Sequence, residues 1–143
     1  MVAAWRKELA CAIAQGGPAD LRTIKSQPAW DPATASYDQT NGPRLAYNLG
    51  VAAFGEENLF WFSPGLFNPT ARLPLATAAN DTLVPYQQAL DAKQAVLASN
   101  PSAYVDTVQL AAGDQPWVHG NVSQAALDDY YRRELALVAP FAP

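Results

Sequence analysis

Apolar positions in the first half of the chain recur at helical spacing. In "AAWRKELACAIAQ", Trp5, Leu9, Ala12 and Ile13 share one face of a predicted helix that Gly16-Gly17 stops. "PADLRTIKSQ" predicts a short second helix with Pro18 in its first turn, and "RLAYNLGVAAFG" a third that ends at Gly55. Between them "PAWDPATASYDQTNGP" is dense in Pro, Asp, Ser, Thr and Asn and reads as loop. "EENLFWFSPGLFNP" gathers Leu59, Phe60, Trp61 and Phe62 and then breaks at two prolines. Two readings of that cluster stand side by side: ordinary core, or a lid over an apolar pocket.

Beyond Pro69 the rhythm changes. "RLPLATA" is a short apolar strand. "YQQALDAKQAVLAS" is a helix with Ala89, Ala92, Val96 and Leu97 on one face, ended by Asn100-Pro101. "YVDTVQLAA" alternates, with Tyr104, Asp106, Val108 and Leu110 on one side and Val105, Thr107 and Gln109 on the other. "GDQPWVHGNVS" is a loop, and "SQAALDDYYRRELALVA" is the closing helix, with Asn121 and Gln124 as its capping box. Asp128 with Arg132, and Asp129 with Arg133, are spaced to pair on its exposed face. Strand, helix, strand, helix implies a parallel pair joined by a right-handed crossover. The fold class is therefore α/β: a small parallel sheet flanked by helices in 69–143, preceded by a mainly helical, cap-like segment in 1–68.

Composition narrows the function. The chain has 143 residues, of which 50% are apolar and 15% charged, so it is globular and one domain at most. Nine basic residues against thirteen acidic ones give a net charge of −4. The only adjacent basic pairs are Arg6-Lys7 and Arg132-Arg133, so no basic face exists to neutralise phosphates and a nucleic-acid partner is not expected. One cysteine, Cys11, forms no internal disulfide, and no Cys or His pair has metal-ligand spacing, so neither metal nor cofactor is called for. No run of about 20 apolar residues occurs that would span a membrane.

The candidate chemistry lies in two loops. Asp81 follows the first strand of the parallel pair, and His119, the one histidine, follows the second. Loops after parallel strands lie along one sheet edge, where such folds place their sites. A carboxylate beside an imidazole fixes its tautomer and stabilises the imidazolium that forms when the ring takes a proton from a nucleophile. Both residues also have plain structural readings: Asp81 as a turn or helix cap, His119 as an ordinary loop residue beside Trp117. Asp114 in "GD" is the rival carboxylate and reads as a turn. "NDT" at Asn80 and "NVS" at Asn121 match a glycosylation sequon.

Residues 71–138 resemble the C-terminal end of an α/β-hydrolase. In that family the last two strands carry the triad acid and the triad histidine, and the acid often stands in a D-x-x-V-P setting. Here Asp81, Val84 and Pro85 in "NDTLVP" match it, and His119 falls between the last strand and the closing helix. The resemblance implies serine-dependent ester or amide hydrolysis, a small-molecule ester or peptide substrate, and Asp81 and His119 as catalytic residues.

The family's nucleophile sits in a Gly-x-Ser-x-Gly turn ahead of the acid, and this chain has no such turn. Ser63 in "WFSPG" is followed by Pro64, which lacks the N–H an oxyanion hole would use. Cys11, in a helical pattern, reads as core. Three explanations follow: a fragment of a longer hydrolase, a chain completed by another, or a remnant that folds alone. Two function classes follow with them: a partial hydrolase, inactive alone, or a non-catalytic binding or assembly module on the same scaffold. With only two strands, "RLPLATA" would keep one open edge, partly covered by aromatics of 1–68, so self-association or a missing N-terminal half is expected.

Overall fold

The computed structural model describes residues 14–15, 20–62, 73–112 and 122–138. Among them a three-stranded parallel sheet runs in the order β1 (Ala14–Gln15), β4 (Leu73–Ala78), β5 (Val105–Leu110). Four helices accompany it: α1 (Leu21–Ile24), α2 (Asn41–Phe54), α3 (Gln87–Ser99) and α4 (Gln124–Val138). A second, antiparallel sheet is a two-stranded hairpin of β2 (Ala29–Asp31) and β3 (Ser36–Asp38). The architecture is mixed α/β, as the alternation after Pro69 predicts.

The sheet corrects two expectations. Ala14 and Gln15 are strand residues opposite Leu75 and Ala76, not the end of a helix. The rest of the predicted first helix, with Cys11, lies outside the described residues. The edge of β4 expected to stand open, with partial cover from 1–68, is occupied by β1 opposite Leu75 and Ala76, and β4 is the central strand. On its other side β4 pairs with β5 in parallel from Leu73↔Val105 to Ala78↔Leu110. The α3 crossover between them is the predicted one.

The hairpin is the third difference. Its turn is Pro32–Ala35, with Pro32 presetting φ and Asp31 Oδ1 accepting from Ala33 N at 2.9 Å. Ala35 takes a left-handed φ of 51° to close it. Asp31, Pro32, Ser36 and Asp38 are spread through both the turn and its short strands, so the segment's composition is that of a loop.

Caps set the helix bounds. Thr40 Oγ1 accepts from Gly42 N at 3.4 Å, which starts α2 three residues before the expected Arg44, and Gly55 ends it at a φ of 80°. Ser123 Oγ accepts from Ala126 N at 3.2 Å and caps α4. Asn121, the expected cap, lies outside the described residues. On α4, Arg133 meets Asp129 at 3.7 Å as expected. Arg132 also meets Asp129, at 3.5 Å, while Asp128 accepts from Gln124.

Two apolar clusters hold these elements. Leu21, Ile24, Leu59 and Val84 join α1, the 3₁₀ turn Glu56–Phe62 and the loop after β4. Leu59 is thus core, while its neighbour Phe60 is exposed. Ala76, Leu110 and Tyr130 form the second cluster, between the sheet and α4. A buried amide ties α1 to α3. Gln88 Oε1 accepts from Asp20 N at 2.7 Å, and its Nε2 donates to Gln27 Oε1 at 2.8 Å and Thr23 Oγ1 at 3.3 Å. Gln27 in turn donates to Asp91 at 2.6 Å.

Candidate active site

Because β4 and β5 are parallel and in register to Ala78↔Leu110, the chain leaves both strands at one edge. Ala79 N donates to Leu110 O at 2.8 Å and keeps the two exits together. After β4 the chain runs through Ala79 and Asn80 to Asp81. After β5 it reaches Ala112, which bridges to Val122 on its return, and Ser123 N donates to Ala111 O at 3.1 Å. His119, Asp114 and Trp117 lie in 113–121, outside the described residues, as does Ser63. The hydrogen bond expected between Asp81 and His119 falls there too.

Asp81 is 2% exposed. Its Oδ1 accepts from Leu83 N at 2.9 Å and from Val84 N at 2.8 Å, so the side chain folds the loop over itself as a turn former does. Asp81 N donates to Ala78 O at 3.2 Å. Val84 then buries into the core with Leu21, Ile24 and Leu59, and Pro85 leads into α3. The string "DTLVP" therefore has a local physical logic: a carboxylate for the turn, an apolar anchor, then a proline ahead of a helix. Tyr86 on that helix start reaches across to Thr107 of β5, its hydroxyl 3.2 Å from Oγ1.

The preceding segment grips this loop from outside, a feature that sequence reasoning missed. Trp30 N, on β2, donates to Asp81 O at 3.3 Å. The Tyr37 hydroxyl, on β3, donates to Ala79 O and accepts from Gln109 Nε2, near the end of β5. Trp30 and Tyr37 stack edge to face at 5.6 Å. Burial pushes the Tyr37 phenol up, the Gln109 hydrogen bond pulls it down, and the nearby Asp81 charge pushes it up again. The N-terminus of α2 presses on the same loop at Gly42, where any Cβ would collide with the Thr82 carbonyl. The one available signal was the order Trp-Asp-Pro…Ser-Tyr-Asp, a turn flanked by aromatics.

Two buried groups beside the loop meet no partner among the described residues: the Trp30 Nε1 and both amide atoms of Asn80, a residue 4% exposed. Among the described residues no three His, Cys, Asp or Glu side chains are placed to hold a metal ion. No helix among them is long and apolar enough to cross a membrane.

No family model and no curated protein matches the sequence. The fold is similar to that of the Pyrococcus furiosus esterase Pf2001, with a TM-score of 0.53 at 17% identity. The match covers 97% of this chain and 47% of the esterase, so this chain spans about half the length of that enzyme.

Proposed function

We propose that this chain is the acid-and-histidine part of a serine-dependent α/β-hydrolase that cleaves esters or amides. The observation that carries the reading is the placement of Asp81 just past the central strand, beside the exit of a parallel neighbour that leads on to His119. The likeness to part of an esterase supports the scaffold. In this reading His119 takes the proton of a serine hydroxyl as that oxygen attacks the substrate carbonyl. Asp81 accepts the hydrogen bond of the other ring nitrogen and stabilises the imidazolium. The proton then passes to the leaving group. The serine and the oxyanion donors come from outside these 143 residues, because no Gly-x-Ser-x-Gly turn is among them. That absence also favours the second reading, a binding or assembly module on the same scaffold.

The single histidine makes the pairing directly measurable. In an NMR titration of the ring protons, Asp81→Asn is expected to lower the His119 midpoint toward that of a free imidazole, because a neighbouring carboxylate favours the charged ring. An unchanged midpoint refutes the pairing. With a nitrophenyl ester, turnover by the chain alone stays at background, and a fluorophosphonate leaves its serines unlabelled. Stoichiometric labelling of one serine would reveal a nucleophile inside the chain and overturn that part of the reading.

A further inference from the structure

The loop that carries Asp81 has no regular secondary structure, yet it is held from three directions. Its own carboxylate bonds Leu83 N and Val84 N. Gly42 of α2 closes on the Thr82 carbonyl. The hairpin supplies the third hold, and it differs from the others because it reaches both strand ends at once. The Tyr37 hydroxyl donates to the carbonyl of Ala79, 42 positions away, and accepts from the side chain of Gln109, 72 positions away. Ala79 is the first residue past β4, and Gln109 is the penultimate residue of β5. One phenolic oxygen therefore bridges the two places from which the chain departs toward Asp81 and toward 113–121.

We propose that Tyr37 is a positioning residue: its hydroxyl clamps the ends of β4 and β5 together and so sets the placement of the Asp81 loop against the end of β5, from which the chain runs on to His119. This deepens the hydrolase reading and rests on it for the purpose of the clamp. The physical case is geometric. Backbone pairing of the two strands runs to Ala78↔Leu110 and ends with Ala79 N on Leu110 O at 2.8 Å; the Tyr37 hydroxyl adds a second tie at the same place, from Ala79 O to the side chain of Gln109. Trp30 backs the ring edge to face, and the Trp30 backbone N–H donates to Asp81 O, so the hairpin approaches the loop as a braced unit. Tyr37 is 45% exposed, so its hydroxyl is not demanded by core packing.

The test uses two variants that each break the bridge, Tyr37→Phe and Gln109→Leu. Tyr37→Phe removes both bonds and keeps the ring on Trp30. Amide exchange at Leu83 and Val84, followed by NMR, is expected to quicken roughly threefold to tenfold in Tyr37→Phe, the scale of one or two hydrogen bonds in local opening. Exchange at Ala92 and Val96 in α3 stays as in the parent. Gln109→Leu quickens the same two amides by a smaller factor, and the double variant goes no further than Tyr37→Phe alone. The His119 midpoint in Tyr37→Phe moves in the direction that Asp81→Asn moves it.

Unchanged exchange at Leu83 and Val84 overturns the clamp. So does a His119 midpoint that responds to Asp81→Asn and ignores Tyr37→Phe. If Asp81→Asn itself leaves His119 unmoved, the hydrolase reading has failed instead, and the exchange result alone decides whether Tyr37 clamps the loop.

Discussion

Two glycines of α2 separate the contact that shapes the Asp81 loop from ordinary helix propensity. A Cβ on Gly42 would stand 1.7 Å from the Thr82 carbonyl oxygen, 2.9 Å from its carbon and 3.4 Å from Leu83 Cα. A carbon–oxygen contact needs about 3.3 Å, so helix and loop must part by about 1.5 Å. Both colliding groups are backbone, with no rotamer to turn away. Overpacking of this kind costs about 3 kcal/mol, and the better propensity of alanine returns about 1 kcal/mol at most. Gly42→Ala is therefore expected to destabilise the chain by about 2 kcal/mol. A Cβ on Gly50 meets only methyl ends, Leu21 Cδ1 at 3.2 Å and Leu59 Cδ2 at 3.3 Å. These side chains can shift by a few tenths of an ångström, so Gly50→Ala is expected within about 1 kcal/mol of the parent, on either side. Urea unfolding of the three proteins, with the slopes compared as well as the midpoints, measures the difference. If Gly42→Ala melts with or above Gly50→Ala, helix α2 does not press on the Asp81 loop and the hold at Thr82 is refuted.

Stability should also fall as pH rises from acid, through Glu134. This side chain on α4 is buried, and burial first, then the Asp106 charge, raises its carboxyl above the ordinary 4.5, with Arg133 opposing. A raised folded value means the contribution is complete below the unfolded value and is lost as pH climbs through the folded one. Glu134→Gln should flatten that fall and leave the variant the more stable of the two at neutral pH, as read from urea midpoints between acid and neutral buffers. The buried amide of Gln88 gives a third expectation. Gln88→Ala removes the partner of Asp20 N and Gln27 Oε1 and leaves a void, so it should cost about 2–4 kcal/mol by the same assay. Gln87→Ala, one residue away and exposed, should stay within about 0.5 kcal/mol.

What the sequence alone determined is local. The alternation in "YVDTVQL", the apolar run "LPLATA" and the helical spacing of Ala89, Ala92 and Val96 each carry their own signal, and the parallel crossover follows from their order. Asp81 was legible as both a turn former and a candidate acid, because its neighbours Val84 and Pro85 are adjacent in the chain. Tertiary structure decided what depends on distant partners. Ala14 and Gln15 are strand only because Leu75 and Ala76 lie beside them, and a helical pattern in the same letters could not reveal it. The hairpin was hidden for a related reason. Its three-residue strands are too short to show a period, and turn formers are spread through them as well as through the turn. Its role depends on contacts that no local window contains: Tyr37 meets Ala79 and Gln109 because folding lays β3 across the ends of β4 and β5. Periodicity reports which face of an element is buried, while the partner that covers it is chosen by long-range packing.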